Sequence, residues 1–218
     1  REHNADAVGL GFGSIHYSMV RVVKPDCALV VGSRYGFIPA CIALALKANG
    51  KGKLHFVDAN YDDQRDGFNT SYGGVSHWAK PLEEVFGKFD LHNWIEIYVQ
   101  RTEQFFARCN SEYQYIYLDG NHSYEGVKYD TEQSVARLST GGILTFHDAL
   151  VAVPGFEVGA YLKKKYHPII LGQYPGMAII QPKPVKLQRT DNFTKRVKSS
   201  RLYQVARTIY RSRFSPFR

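Results

Sequence analysis

No uninterrupted apolar run in the 218 residues approaches the roughly 20 that a helical membrane span requires, so the expectation is a chain without one. Cysteine is scarce. Cys27, Cys41 and Cys109 are odd in number and far apart, which argues against a disulfide framework and against the close Cys/His spacing of a zinc site. Two of them sit in strongly apolar segments, so reduced, buried thiols and a cytoplasmic protein are expected. A charged-then-apolar leader is also lacking, although the chain opens at Arg1 and an upstream piece is allowed for.

Acid is missing from one end. Residues 182–218 carry 11 Lys/Arg against Asp191 alone, a balance of +10, whereas residues 1–181 carry 17 basic and 19 acidic side chains, a balance of −2. The overall +8 therefore belongs to the tail. The length suits a single domain with a sizeable core, residues 1–181, followed by a basic tail, 182–218.

What the body does contain is alternation of strand and helix. Cys27–Val31 (CALVV), Leu54–Val57, Trp94–Val99, Tyr113–Leu118 and Ile143–Phe146 are short apolar runs of the kind buried on both faces of a sheet. Between them, helical patterns cover Phe37–Lys47, Lys80–Phe89, Thr102–Cys109 and Tyr124–Leu138, and a further helix covers Phe156–Tyr166. Thr140-Gly141-Gly142 reads as a turn, and Ile169–Leu171 can pair with Ala178–Gln181 around Pro175-Gly176. This predicts a Rossmann-like α/β fold: a doubly wound, mostly parallel sheet with helices on both faces and a closing antiparallel strand. The cluster Gly9-Leu10-Gly11-Phe12-Gly13 imitates a dinucleotide fingerprint. No strand precedes it, and it reads as a flexible entry segment.

Ligands in such sheets lie beyond the carboxyl ends of the strands. Four of the five strands end on glycine or on polar, ionisable groups: Gly32-Ser33, Asp58, Asp119 and His147-Asp148. Gly32, Ser33 and Gly36 form a glycine loop that opens a helix, where backbone can approach a ligand closely. Asp58 follows 26 residues after Gly32, at a place where an acid accepts hydrogen bonds from ribose hydroxyls. The pairing points to a nucleoside-containing cofactor; the alternative is a tight turn and a helix cap. In Asp119-Gly120-Asn121-His122 a carboxylate and an imidazole can face one cleft, and His122 can take a proton near neutral pH. His147-Asp148 ends the neighbouring strand. Two carboxylates, an imidazole and waters suit Mg²⁺, or the more nitrogen-tolerant Mn²⁺. The alternative is that Asp119 caps the next helix and His122 is a solvated loop residue.

The ordered segments Val31-Gly32-Ser33-x-Tyr35-Gly36, Val57-Asp58, Asp119-Gly120-Asn121-His122-Ser123-Tyr124-Glu125-Gly126-Val127 and Gly141-Gly142-Ile143-Leu144-Thr145-Phe146-His147-Asp148 carry a resemblance. Over roughly residues 20–181 the chain resembles the small class I S-adenosylmethionine-dependent methyltransferases, in particular the macrocin and mycinamicin sugar O-methyltransferases. The resemblance implies methyl transfer to a hydroxyl of a small molecule or glycan. It sets Gly32, Ser33 and Gly36 against the methionine part of S-adenosylmethionine, Asp58 on the ribose, and Arg101-Thr102 beside the adenine. It makes His122 the general base, counts Asp119 with it as catalytic and also with the cofactor-binding residues, and gives Mg²⁺ to Asp119, His147 and Asp148. Two positions depart from the pattern: Val30 stands where many relatives carry an acid, and His147 where metal-dependent relatives carry one.

Two segments stand apart. Asn60–Pro81, with Tyr72, His77 and Trp78 around Gly73-Gly74, is long enough to be a lid over an acceptor; the alternative is a mobile surface loop with no substrate contact. In the tail, Leu202, Val205, Ala206, Ile209 and Tyr210 recur at helical spacing among arginines. Such a helix packs on its own domain or on a second copy of the chain in a homo-oligomer, lies on an anionic membrane, or contacts nucleic acid. A nucleic-acid methyltransferase is disfavoured because the position after the fourth strand reads Asp119-Gly120-Asn121-His122, not Asn/Asp-Pro-Pro-aromatic. A nicotinamide dehydrogenase is disfavoured because the Gly32 loop lacks G-x-G-x-x-G. A non-catalytic remnant of the fold is the remaining alternative.

Overall fold

The computed structural model describes residues 11–33, 36–59, 82–172 and 174–184. The chain divides into two units, Arg1–Pro184 and Val185–Arg218, and the described residues all belong to the first. Arg34 and Tyr35, Gly9, the 60–81 segment with Tyr72, His77 and Trp78, and the helix expected in the tail lie outside the described residues.

The five apolar runs form adjacent parallel strands: β1 Cys27–Val31, β2 Lys53–Asp58, β3 Ile95–Val99, β4 Tyr113–Leu118 and β5 Leu138–Phe146. Strands β6 Ile169–Leu171 and β7 Met177–Ile180 form the closing hairpin, and β7 pairs antiparallel with β5. The order across the sheet is β3-β2-β1-β4-β5-β7-β6. The helices are α1 Phe12–Val23, α2 Phe37–Asn49, α3 Leu82–Gly87, α4 Thr102–Arg108, α5 Tyr124–Arg137 and α6 Val158–Lys165.

Both faces of the sheet are covered, which is why its central strands read as unbroken apolar runs. In β1, Leu29 and Val31 join a core with Phe105, Ile116, Phe146 and Leu162. Ala28 and Val30 face the opposite core with Ile42, Leu46, Phe56, Tyr115 and Tyr117. Val30, one of the two positions that depart from the expected pattern, is fully buried there. Chain order reverses between β1 and β4, so their carboxyl ends open the crevice where such folds bind ligands. Cys27, Cys41 and Cys109 are free thiols, and burial pushes Cys41 up to about 11 and Cys27 up to about 12. Among the described residues no helix is long and apolar enough to cross a membrane.

Three readings need correction. The entry segment, where described, is not flexible coil: Phe12–Val23 is helical. Phe12, His16 and Val20 recur every four residues on its buried face, and a residue without a side chain at 13 lets α1 seat against α2. A Cβ at Gly13 would stand 2.7 Å from the Phe37 ring. Lys24, in the left-handed region at φ 50°, and Pro25 end the helix. The expected turn at Thr140-Gly141-Gly142 lies inside β5, where the register against β4 shifts between Tyr113 and Tyr115 and extra residues are taken up as an irregularity. Finally, α6 begins at Val158, which leaves Phe156 in the loop before it.

Candidate active site

The first strand end is fastened to the second and to the fourth. Gly32 N–H donates to Val57 O (2.8 Å), Ser33 N–H to Asp58 Oδ2 (2.8 Å), and Asp119 N–H to Val31 O (2.8 Å). Asp58 thus places one carboxylate oxygen on the glycine loop. Gly32, at φ +73°, passes so close to β4 that a Cβ there would stand 2.3 Å from the Asp119 carbonyl oxygen. Gly36, also left-handed at φ 72°, precedes α2. Arg101 occupies the N-cap of α4, its N–H bonded to Gln104 Oε1 at 3.3 Å. Thr102 opens that helix and hydrogen-bonds the buried Asp130 of α5.

One step across the sheet, four side chains converge. Ser123 caps α5 by accepting from Gly126 N–H (3.2 Å), and Asn121 Oδ1 accepts from Ser123 N–H (3.0 Å), so the loop carrying His122 is held from both sides. His122 Nε2 lies 2.9 Å from Asp148 Oδ2 and 3.4 Å from Asp119 Oδ1. His147 Nδ1 lies 2.9 Å from Asp148 Oδ1 and 3.3 Å from Asp119 Oδ1. Asp148 reaches this position with φ 56°, a conformation that aspartate tolerates better than most residues. Phe156 stacks on the His122 ring, centroids 4.7 Å apart, and Glu157 N–H donates to His122 O (2.8 Å).

Burial works against charge at Asp119, His122 and Asp148, and attraction within the cluster outweighs it. The two carboxylates raise His122 to about 9. Asp119 and Asp148 are held below the ordinary carboxylate range by the two imidazoles. His122 Nε2 is enclosed, yet its N–H direction meets neither carboxylate squarely enough for a hydrogen bond. Donor atoms of Asp119, His122 and Asp148 all come within 4.8 Å of one another. Two carboxylates and an imidazole at this spacing are a donor set that suits a divalent cation, the imidazole joining only when it is neutral. The compact set includes His122, whereas the sequence assigned the third position to His147.

Sequence reasoning missed Asp130, Tyr117, His16 and Phe156. Asp130 is 4% exposed and packs beneath the turn after β4, where a Cβ on Gly120 would stand 3.1 Å from its Oδ2. Burial raises it to about 7, against the Thr102 hydrogen bond, which favours the anion. The stability lent by the neutral acid is complete below about pH 4 and gone once the pH passes about 7. Asp130→Asn keeps a neutral polar group there, so it should gain several degrees in melting temperature over wild type at pH 9 and little at pH 4. Parallel pH curves for the two proteins would contradict this.

Comparison with known proteins agrees with the fold. Residues 29–149 match the model of a family described as a methyltransferase domain. The protein y4gI of Sinorhizobium fredii, itself uncharacterized, is 29% identical over 150 residues, or 66% of this chain and 15% of that relative; the chain thus spans a small part of its length. Among solved structures, the O-methyltransferase TomG of Streptomyces achromogenes, involved in tomaymycin synthesis and in complex with S-adenosylmethionine, superposes with TM-score 0.58 at 14% identity, covering 79% of this chain and 80% of that one. The O-methyltransferase of Bacillus cereus, in complex with S-adenosylhomocysteine, gives 0.60 at 11%, covering 80% and 82%. The S-adenosylhomocysteine-bound methyltransferase PaMTH1 of Podospora anserina gives 0.57 at 17%, covering 80% and 79%.

Proposed function

The chain belongs to the methyltransferase-domain family, and we propose that it transfers a methyl group from S-adenosylmethionine to a hydroxyl of a small molecule or sugar, with His122 as the general base. The observation that carries this reading is the meeting of Asp119, His122, His147 and Asp148 one strand away from the Asp58–Ser33 loop. The solved relatives in complex with S-adenosylmethionine or its product support the choice of cofactor.

In this reading Gly32, Ser33 and Gly36 receive the methionine part of the cofactor, Asp58 the ribose, and Arg101-Thr102 the adenine. The chain then has two tasks. It must hold a hydroxyl oxygen in line with the sulfonium methyl carbon at about 3 Å. It must also remove the proton, because a neutral hydroxyl is a poor nucleophile. His122 has the position and the enclosure for the second task, and Phe156 stacked on its ring keeps the imidazole plane fixed. Beside two carboxylates the ring is held mostly protonated at neutral pH, so their charge must be drawn off before it can accept a proton.

Asp119 and Asp148 would hold Mg²⁺ or Mn²⁺ with His147 as the nitrogen neighbour, because His122 must keep its lone pair for the substrate proton. Such an ion would draw the carboxylates' charge away from His122 and stabilise the developing alkoxide. Transfer of labelled methyl to a panel of hydroxylated sugars and small molecules, with added Mg²⁺ and with chelator, tests the reading. Hydroxyl methylation that chelator reduces is expected. Methylation confined to amines or nucleobases, or rates indifferent to chelator, would overturn the acceptor or the ion respectively.

A further inference from the structure

Helix α1 lies outside the segment that matches the family, yet it backs directly onto the convergent carboxylates and imidazoles. Tyr117 stands two residues before Asp119, and its hydroxyl donates to Asp119 Oδ2 at 3.1 Å. That leaves Oδ1 as the oxygen turned to His122 and His147, at 3.4 and 3.3 Å. The phenol ring, 1% exposed, is walled in by His16 of α1, with centroids 4.6 Å apart and planes crossing at 73°. His16 is itself fixed: it is fully buried, and its Nδ1 is 2.6 Å from the Tyr115 hydroxyl. One turn earlier on α1, Phe12 meets the His147 ring edge-on at 6.4 Å.

We propose that Tyr117 is a positioning residue that sets the orientation of the Asp119 carboxylate, and that α1, through His16, is the wall that holds Tyr117 in place. This rests on the role given to Asp119 above. The physical argument is rotational. The backbone of Asp119 is pinned to β1, but a carboxylate can still turn about its last bond. Assigning one oxygen to a buried phenol selects which oxygen faces the imidazoles. Outer partners of this kind commonly account for 10–100-fold in affinity or activity at metal sites. His16 suits the wall because burial, together with the nearby His147, pushes it down to about 3, so the ring is neutral and adds no charge behind Asp119.

The test is histidine side-chain ¹H–¹⁵N spectroscopy on the full chain at fixed pH 7, comparing wild type with Tyr117→Phe. Phenylalanine keeps the ring against His16 and deletes only the hydroxyl. The His122 and His147 resonances should move, while His55, bonded to Tyr113 on the other face of the sheet, stays put. His122 and His147 resonances superimposing on wild type would overturn the proposal. His16→Leu should move the same two resonances by a smaller amount, and wild-type spectra in that variant would remove α1 from the account. Titrating the samples with Mn²⁺ keeps the underlying reading separate. Wild-type His122 should broaden, and Tyr117→Phe should need about 10–100-fold more ion. A wild-type protein that does not broaden counts against the ion, while the ion-free spectra still decide the role of Tyr117.

Discussion

Replacing His122 by alanine leaves S-adenosylhomocysteine bound and reduces methyl transfer by about 10²- to 10⁴-fold. The two effects separate because the residue lies on one side of the crevice only. Its ring faces Asp119, Asp148 and Phe156, whereas the cofactor is assigned to the loop that fastens Gly32 and Ser33 to the end of β2. The substitution removes a side chain that sits in a tight electrostatic arrangement, so some change in stability accompanies it. The imidazolium it removes neutralises part of two carboxylates, and their repulsion remains. Product-binding calorimetry on the variant, beside its rate on an acceptor found in the hydroxyl panel, reads both quantities. Loss of product affinity would move His122 into the cofactor site, and an unchanged rate would take the base away from it.

Gly32→Ala should be the most damaging single methyl addition in the β1 loop. Two penalties coincide at this residue. Its φ of +73° lies in the region where a Cβ costs roughly 1–2 kcal/mol. The added carbon would also stand 2.3 Å from the Asp119 carbonyl oxygen and 2.8 Å from Gly120 Cα. Those atoms are backbone, so no side chain can swing aside. Either β1 and β4 separate at their carboxyl ends or the loop adopts another path, and both displace Ser33 from Asp58 and Asp119 from β1. A loss of about 3 kcal/mol or more in urea unfolding is expected, together with loss of product binding. Gly50→Ala is the control: that glycine is also at positive φ (+68°) but its Cβ would meet nothing within 4 Å, so only the modest conformational cost should appear. Equal effects at the two positions would show that the close approach of β1 to β4 carries no weight.

Much of the site could be read from spacing because its residues sit at the ends of strands. Once Tyr113–Leu118 and Ile143–Phe146 are taken as neighbouring parallel strands, Asp119 and His147-Asp148 must come out side by side, and the short Asp-Gly-Asn-His loop keeps His122 within reach. What could not be read depends on faces and depths that only packing decides. Helix α1 carries its buried stripe as Phe12, His16 and Val20, and a histidine in the middle of an apolar stripe, preceded by glycines, looks like loop. Tyr117 is one of three tyrosines in YQYIYL; alternation would put all three rings on one face, whereas Tyr113 packs on the other, and it does not show where any hydroxyl ends. Asp130 lies within an ordinary-looking polar stretch of helix. Its burial comes from the approach of Gly120 and the start of α4, neither of which is local in sequence. The expected turn at Thr140-Gly141-Gly142 failed because glycines also mark irregularities within a strand.

The central claim, that the crevice between β1 and β4 is built for S-adenosylmethionine, is tested most directly by calorimetric titration of the folded chain with S-adenosylhomocysteine, in parallel with Asp58→Ala. The account predicts saturable one-to-one binding to the wild-type protein, weakened at least about tenfold in the variant, as expected for a charged group that loses its ribose hydrogen bonds. An intact wild-type protein that takes up no S-adenosylhomocysteine, or an Asp58→Ala protein that binds it as tightly as wild type, would contradict it.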